Sequence, residues 1–146
     1  MVNNELEIKD FLQQARNLDA KIDNKIALLE SLNCLATKAT QTFSDMPHSP
    51  NRNNSSLENT IIKIIDLQNE INADIDRLVD LKHIITSTIE ELPNTTAQII
   101  FMKRYLKYMT WEQIADSLSF SVKHVQRLHK SYLSKIKIPS DFRKNE

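Results

Sequence analysis

The chain has 146 residues with no glycine, four prolines, one cysteine and equal numbers of acidic and basic side chains. Glycine supplies tight turns, phosphate loops and hairpin corners, so its absence argues against P-loop, dinucleotide-binding and strand-rich folds. The neutral total hides a split: residues 92–146 hold ten Lys/Arg and four Asp/Glu, a net of +6, so residues 1–91 carry −6. A basic end on an acidic body fits a protein that docks one end on a polyanion.

No apolar run is long enough to span a membrane, and the polar, acidic start from Met1 to Asp10 does not read as a signal peptide. A soluble protein of the cytoplasm is expected, with no membrane partner. The lone Cys34 rules out an internal disulfide framework. It sits in a helical apolar pattern and is expected to be a small buried hydrophobe.

Residues 4–43 read as a helix. Phe11, Ala15, Leu18, Ile22, Ile26, Leu29, Leu32, Ala36 and Phe43 recur mostly at steps of three or four. Residues 44–56, with Pro47, Pro50 and a run of Asn and Ser, read as a flexible linker, with Ser55 or Ser56 capping the next helix.

Residues 57–92 step 4-3-4-3 through Leu57, Ile61, Ile64, Gln68, Ile71, Ile75, Leu78, Lys82, Ile85, Ile89 and Leu92. That is an a/d seam with Gln68 and Lys82 as polar exceptions, widened by Leu67, Leu81 and Ile84. Two long amphipathic helices predict an all-α chain whose residues 1–92 form an antiparallel coiled-coil hairpin. A two-helix ribbon leaves apolar surface wet, so a homo-oligomer is expected through Ile64, Ile71, Ile75, Leu78 and Ile85. A monomeric hairpin with the polar positions at its rim is the alternative.

Residues 93–138 read as a three-helix head and 139–146 as a tail. Pro93 ends the long helix, and Asn94 or Thr95 caps a helix with Ile99, Ile100, Met102, Tyr105 and Leu106 inside. Thr110-Trp111-Glu112-Gln113 fits a capping box, leading into Ile114, Ala115 and Leu118 as an inner face. Ser119-Phe120 is the turn, and Ser121 caps a last helix with Val125, Leu128, Leu133 and Ile136 inside. Its other face shows Lys123, His124, Gln126, Arg127 and Lys130. Long donors near a helix N-terminus suit base edges, and lysines further along suit phosphates. The candidate partner is double-stranded DNA, contacted by Ser121, Lys123, His124, Gln126, Arg127 and Lys130. A three-helix interaction domain with a solvated basic face is the bland alternative.

Glu91-Leu92-Pro93, Arg104-Tyr105, Thr110-Trp111-Glu112-Gln113-Ile114-Ala115 and Ser121 through Lys137 resemble region 4 of sigma-70 family transcription factors over about a third of the chain. The layout, including Ile71-Asn72, Ile75-Asp76 and Leu78-Val79-Asp80-Leu81-Lys82 before the head, is similar to small phage and prophage proteins of Gram-positive bacteria. Some of those are late-gene transcription activators. The resemblance implies a DNA-binding regulator of phage genes, with bacterial RNA polymerase as a further partner.

Region 4 reads DNA with positions that fall on Val122, Lys123, Gln126 and Arg127. Val122 stands where sigma factors usually carry Arg and Lys123 where they carry Glu, so a consensus promoter element is not the expected target. Ser119 stands where the turn usually has Gly, which strains Ser if that position needs positive φ. The sigma domains that melt promoters have no counterpart, so a complete sigma factor is not expected. A small-terminase-like packaging protein and a protein-binding adaptor or inhibitor of a host factor are the rival readings.

His48, His83, His124 and His129 lack metal-ligand spacing, and Asp74, Asp76 and Asp80 read as a solvated helix face. No nucleophile–base set has motif context. No catalysis, metal or cofactor is expected. His129 is expected to be partly exposed, and Trp111 to be core.

Overall fold

The computed structural model describes residues 5–45 and 52–142, the side chains of 42–45 and 52–54 excepted. The chain is all-α. Two long helices, α1 (Glu5–Asp45) and α2 (Arg52–Glu90), precede three short ones, α3 (Thr95–Tyr105), α4 (Trp111–Leu118) and α5 (Val122–Leu133), and a 3₁₀ turn at Ser140–Phe142. No described helix is long and apolar enough to cross a membrane.

Part of the stretch read as a linker at 44–56 is helical. Residues 44, 45 and 52–56 are helical, so Ser55 and Ser56 lie inside α2 rather than capping it; residues 46–51 lie outside the described residues. Asn and Ser are tolerated in a first helical turn.

The chain forms two compact units: Met1–Leu18 with Leu78–Glu146, and Asp19–Arg77. The boundary expected at 92/93 therefore moves. Ile8, Phe11, Leu12 and Ala15 of α1 share one core with Leu81, Ile85, Ile89 and Leu92, and with Ala97, Phe101, Tyr105, Leu133, Ile136 and Ile138. The described part of the stretch read as a tail, residues 139–142, packs on this core as well, with the Phe142 ring edge-on to Phe11 at 5.5 Å. Ile85, expected to oligomerise, is fully buried in this core of its own chain.

The buried stripe of α2 differs from the expected seam in one respect. Leu57, Ile64, Ile71, Leu78, Ile85 and Leu92 lie inward as expected, at least half-buried. Between them, however, the inward positions are Thr60, Leu67, Asp74 and Leu81, one residue before those expected, while at the end of the helix Thr88 and the expected Ile89 are both buried. Gln68, Ile61 and Ile75 are exposed, and Lys82 is half-buried. Both alternations keep the helical period, and Ile61 and Ile75 made the wrong one look the more apolar.

Asp74 is the reason for the difference. Within the second unit its carboxylate is buried, not solvated, and accepts from Lys25 Nζ of α1 at 2.6 Å and from Arg77 one turn on. Lys25 also reaches Glu70 at 3.4 Å. The hydrogen bond from Lys25 holds the Asp74 carboxyl below its ordinary value against the desolvation that would raise it, and the same bond raises Lys25. On α1, Lys25 thus takes the inward position assigned to Ile26, which is exposed. Cys34 is exposed too, because Leu32 and Ala36 on either side hold the inward positions.

Candidate nucleic-acid interface

Local chemistry sets each helix of the head. The Asn94 side chain accepts from Ala97 N–H at 3.0 Å and starts α3. Its buried side is Ala97, Ile100, Phe101 and Tyr105; Ile99, expected inside, is exposed. Thr110 and Gln113 make the reciprocal capping box of α4, with Thr110 N–H donating to Gln113 Oε1 at 2.9 Å and Gln113 N–H to Thr110 Oγ1 at 3.2 Å.

The turn from α4 to α5 closes at Ser119, whose φ of 57° and ψ of 37° are left-handed. Ser119 N–H donates to Asp116 C=O at 3.3 Å and Phe120 N–H to Ala115 C=O at 2.9 Å. This is the Schellman arrangement, in which glycine normally takes the left-handed site. Tyr108, between α3 and α4, is also left-handed at φ 58°. Ser121 then caps α5, its hydroxyl accepting from His124 N–H at 3.1 Å.

α5 has two faces. Inward, Val125, His129 and Leu133 are buried, and Val122 and Leu128 are half-buried. Val125 packs with Ile100, Ile114 and Ala115, which ties α5 to α3 and α4. Outward, Ser121, Lys123, Gln126, Arg127 and Lys130 are exposed. His124 is half-buried at the edge of this set, its ring edge-on to Phe120 at 4.8 Å. Among the described residues, no ion pair involves Lys123, Arg127 or Lys130. Their charge is therefore not compensated locally. Of the six residues expected to contact DNA, all but His124 are exposed, along one side of α5 from its cap at Ser121 to Lys130 in its last turn, and the Ser121 hydroxyl is engaged as the cap. α4 exposes Glu112 and Asp116. The cationic surface thus belongs to α5 and to the exposed Lys135 and Lys137 beyond it.

His129 overturns its expected exposure. Its ring stacks on Phe101 at 4.8 Å and meets the Trp111 edge at 4.8 Å, and its Nε2 lies 2.6 Å from the Tyr105 hydroxyl. A neutral imidazole accepts the phenol proton at that nitrogen. Burial, helped by the charges of Lys9 and Arg104, pushes the imidazole down to about 4. Burial pushes the Tyr105 phenol up to about 12. Arg104 covers Trp111 at 4.3 Å and donates to Met109 C=O at 3.1 Å, so one cation closes the rim of this aromatic box. Position 129 lies four residues from both Val125 and Leu133, so the helical period itself marked it as inward.

No family model, curated protein or solved structure matches this chain.

Proposed function

We propose that this protein is a non-enzymatic, sequence-specific binder of double-stranded DNA that regulates phage or prophage genes. The observation that carries the proposal is the division of α5: its inner side is spent on the core, while Lys123, Gln126, Arg127 and Lys130 stand exposed and uncompensated on the other. Three features support the reading. α5 begins at a serine cap after a closed turn, which fixes the helix on the two helices behind it. The positive end of the helix dipole lies beside Lys123, in the first turn of α5. Residues 92–146 carry a net charge of +6, and the compact unit they form with residues 1–18 and 78–91 a net of +3, which gives a polyanion a long-range reason to approach.

Gln126 has the donor–acceptor pair that matches adenine, and Arg127 the fork that matches guanine. Lys123 and Lys130 would meet phosphate. Regulation of phage genes, activation and contact with RNA polymerase rest on the resemblance to sigma region 4.

Selection of bound fragments from random duplexes, then fluorescence anisotropy at several salt concentrations, tests the proposal. Arg127→Ala should cost about 1–3 kcal/mol on the selected site and relax its base preference. Lys130→Ala should weaken all sequences alike and lower the salt slope by about 1. Salt-insensitive or undetectable duplex binding by the folded protein would refute it.

A further inference from the structure

The inner stripe of α2 is not its only heptad pattern. Ile61, Ile65, Gln68, Asn72, Ile75 and Val79 step 4-3-4-3-4 along the same helix, about a quarter turn away from the inner stripe. All six are exposed in the single chain, Ile61 at 44%, Ile65 at 49%, Ile75 at 39% and Val79 at 62%. Four apolar side chains on a regular seam, with two amides between them, make a face that water solvates poorly.

We infer that this outer face of α2 binds the same face of a second copy, antiparallel, across a twofold axis between Gln68 and Asn72. Among antiparallel alignments, the pattern is self-complementary in that one alone. Layers of an antiparallel pair match an a position with a d position of the other helix. Centred between Gln68 and Asn72, they set Ile65 against Ile75 of the second copy, Val79 against Ile61, and Asn72 against Gln68. Each amide then meets an amide, which supplies both its donor and its acceptor.

The ends of the seam decide the direction. The next positions outward are Glu58 and Lys82, the latter also lying over the Tyr108 ring at 5.5 Å. The antiparallel alignment brings Glu58 to Lys82 of the second copy at both ends. A parallel pair would set Glu58 on Glu58 and Lys82 on Lys82, two like-charge contacts. A shift by one heptad would bury amides against isoleucines without partners. One symmetric interface closes on itself, giving a dimer.

This face replaces most of the oligomerisation set expected from the sequence. Ile64, Ile71 and Ile85 are consumed inside the chain, Leu78 is half-buried, and Ile75 carries over.

The test needs no DNA, so it stands or falls apart from the proposed function. Sedimentation equilibrium of the full chain at micromolar concentration should give a dimer, and a monomer would overturn the inference. Ile65→Asp should raise the dimer dissociation constant by on the order of tenfold or more, with far-UV circular dichroism retained because the side chain is exposed in the single chain. Unchanged mass for that variant would overturn the inference. Glu58→Lys should weaken the dimer, and adding Lys82→Glu should restore it.

Direction is read by oxidation in a Cys34→Ala background, since exposed Cys34 would otherwise react. Chains with Gln68→Cys mixed with chains with Asn72→Cys should yield mostly the mixed disulfide. Efficient self-crosslinking of either variant alone would mean a parallel pair and overturn it.

Discussion

Acid should unfold the head through one buried imidazole. His129 titrates near 6.5 when unfolded and at about 4 in the fold. Between those values the unfolded chain binds the extra proton, so stability rises with pH across the window. The contribution is complete above the unfolded value and is lost as pH falls from about 6.5 to about 4. The displacement, at 1.36 kcal/mol per pH unit, is worth about 3 kcal/mol, a large part of the stability of a small domain.

The geometry gives the same sign. Protonating Nε2 destroys its acceptor for the Tyr105 hydroxyl at 2.6 Å and puts a cation between Phe101 and Trp111, near Lys9 and Arg104. The assay is denaturant unfolding monitored by fluorescence of Trp111, the single tryptophan, between pH 4 and 7. His129→Phe with Tyr105→Phe removes the titrating group without orphaning the phenol. Carboxylates elsewhere titrate alike in both proteins, so the difference between the two curves isolates His129. Wild type should lose about 3 kcal/mol more than the double variant on going from pH 7 to pH 4. Parallel curves would refute the reasoning.

The caps and the buried ion pair give three more expected outcomes. Ser119→Gly should stabilise the head by roughly 0.5–1 kcal/mol, because glycine takes the left-handed site without Cβ strain while gaining unfolded-state freedom; thermal unfolding reads it. Thr110→Ala should cost about 1 kcal/mol by the same measurement, through loss of the α4 cap. Asp74→Leu should destabilise the pairing of α1 and α2 by stranding Lys25, whereas Asp74→Leu with Lys25→Leu should be at least as stable as wild type; hydrogen exchange of residues 19–77 distinguishes them. Since the Asp74 carboxyl is held below its unfolded value, its contribution is present above about pH 4 and is lost as pH falls further.

The head was legible because its signals are local. Asn94, Thr110 with Gln113, and Ser121 are caps that act within a few residues, and each sits where its side-chain chemistry placed it. The exposed face of α5 came from those caps and the helical period. What escaped depends on distant partners. A buried aspartate is a poor guess for a seam until Lys25, 49 residues away, is known to neutralise it. Likewise, nothing near Phe142 reveals that it packs on Phe11. His129 belongs to neither case. The period marked it as inward, but a polar ring is assigned to the core only when Tyr105 is seen to satisfy it.

The division of α5 makes stability and recognition separable by experiment. Truncating Val125 or Leu133 opens a cavity in a core shared with other helices, which costs about 1–4 kcal/mol and should lower the unfolding midpoint, weakening any binding only as far as the folded fraction falls. Truncating Lys123, Gln126 or Arg127 removes exposed side chains and should change the unfolding midpoint little. A face under selection for the core alone has no need of four long donors free of ion pairs. A face built to meet phosphate does, because a salt bridge formed within the chain would have to be broken before the groove is reached, and its Coulomb energy would be subtracted from binding.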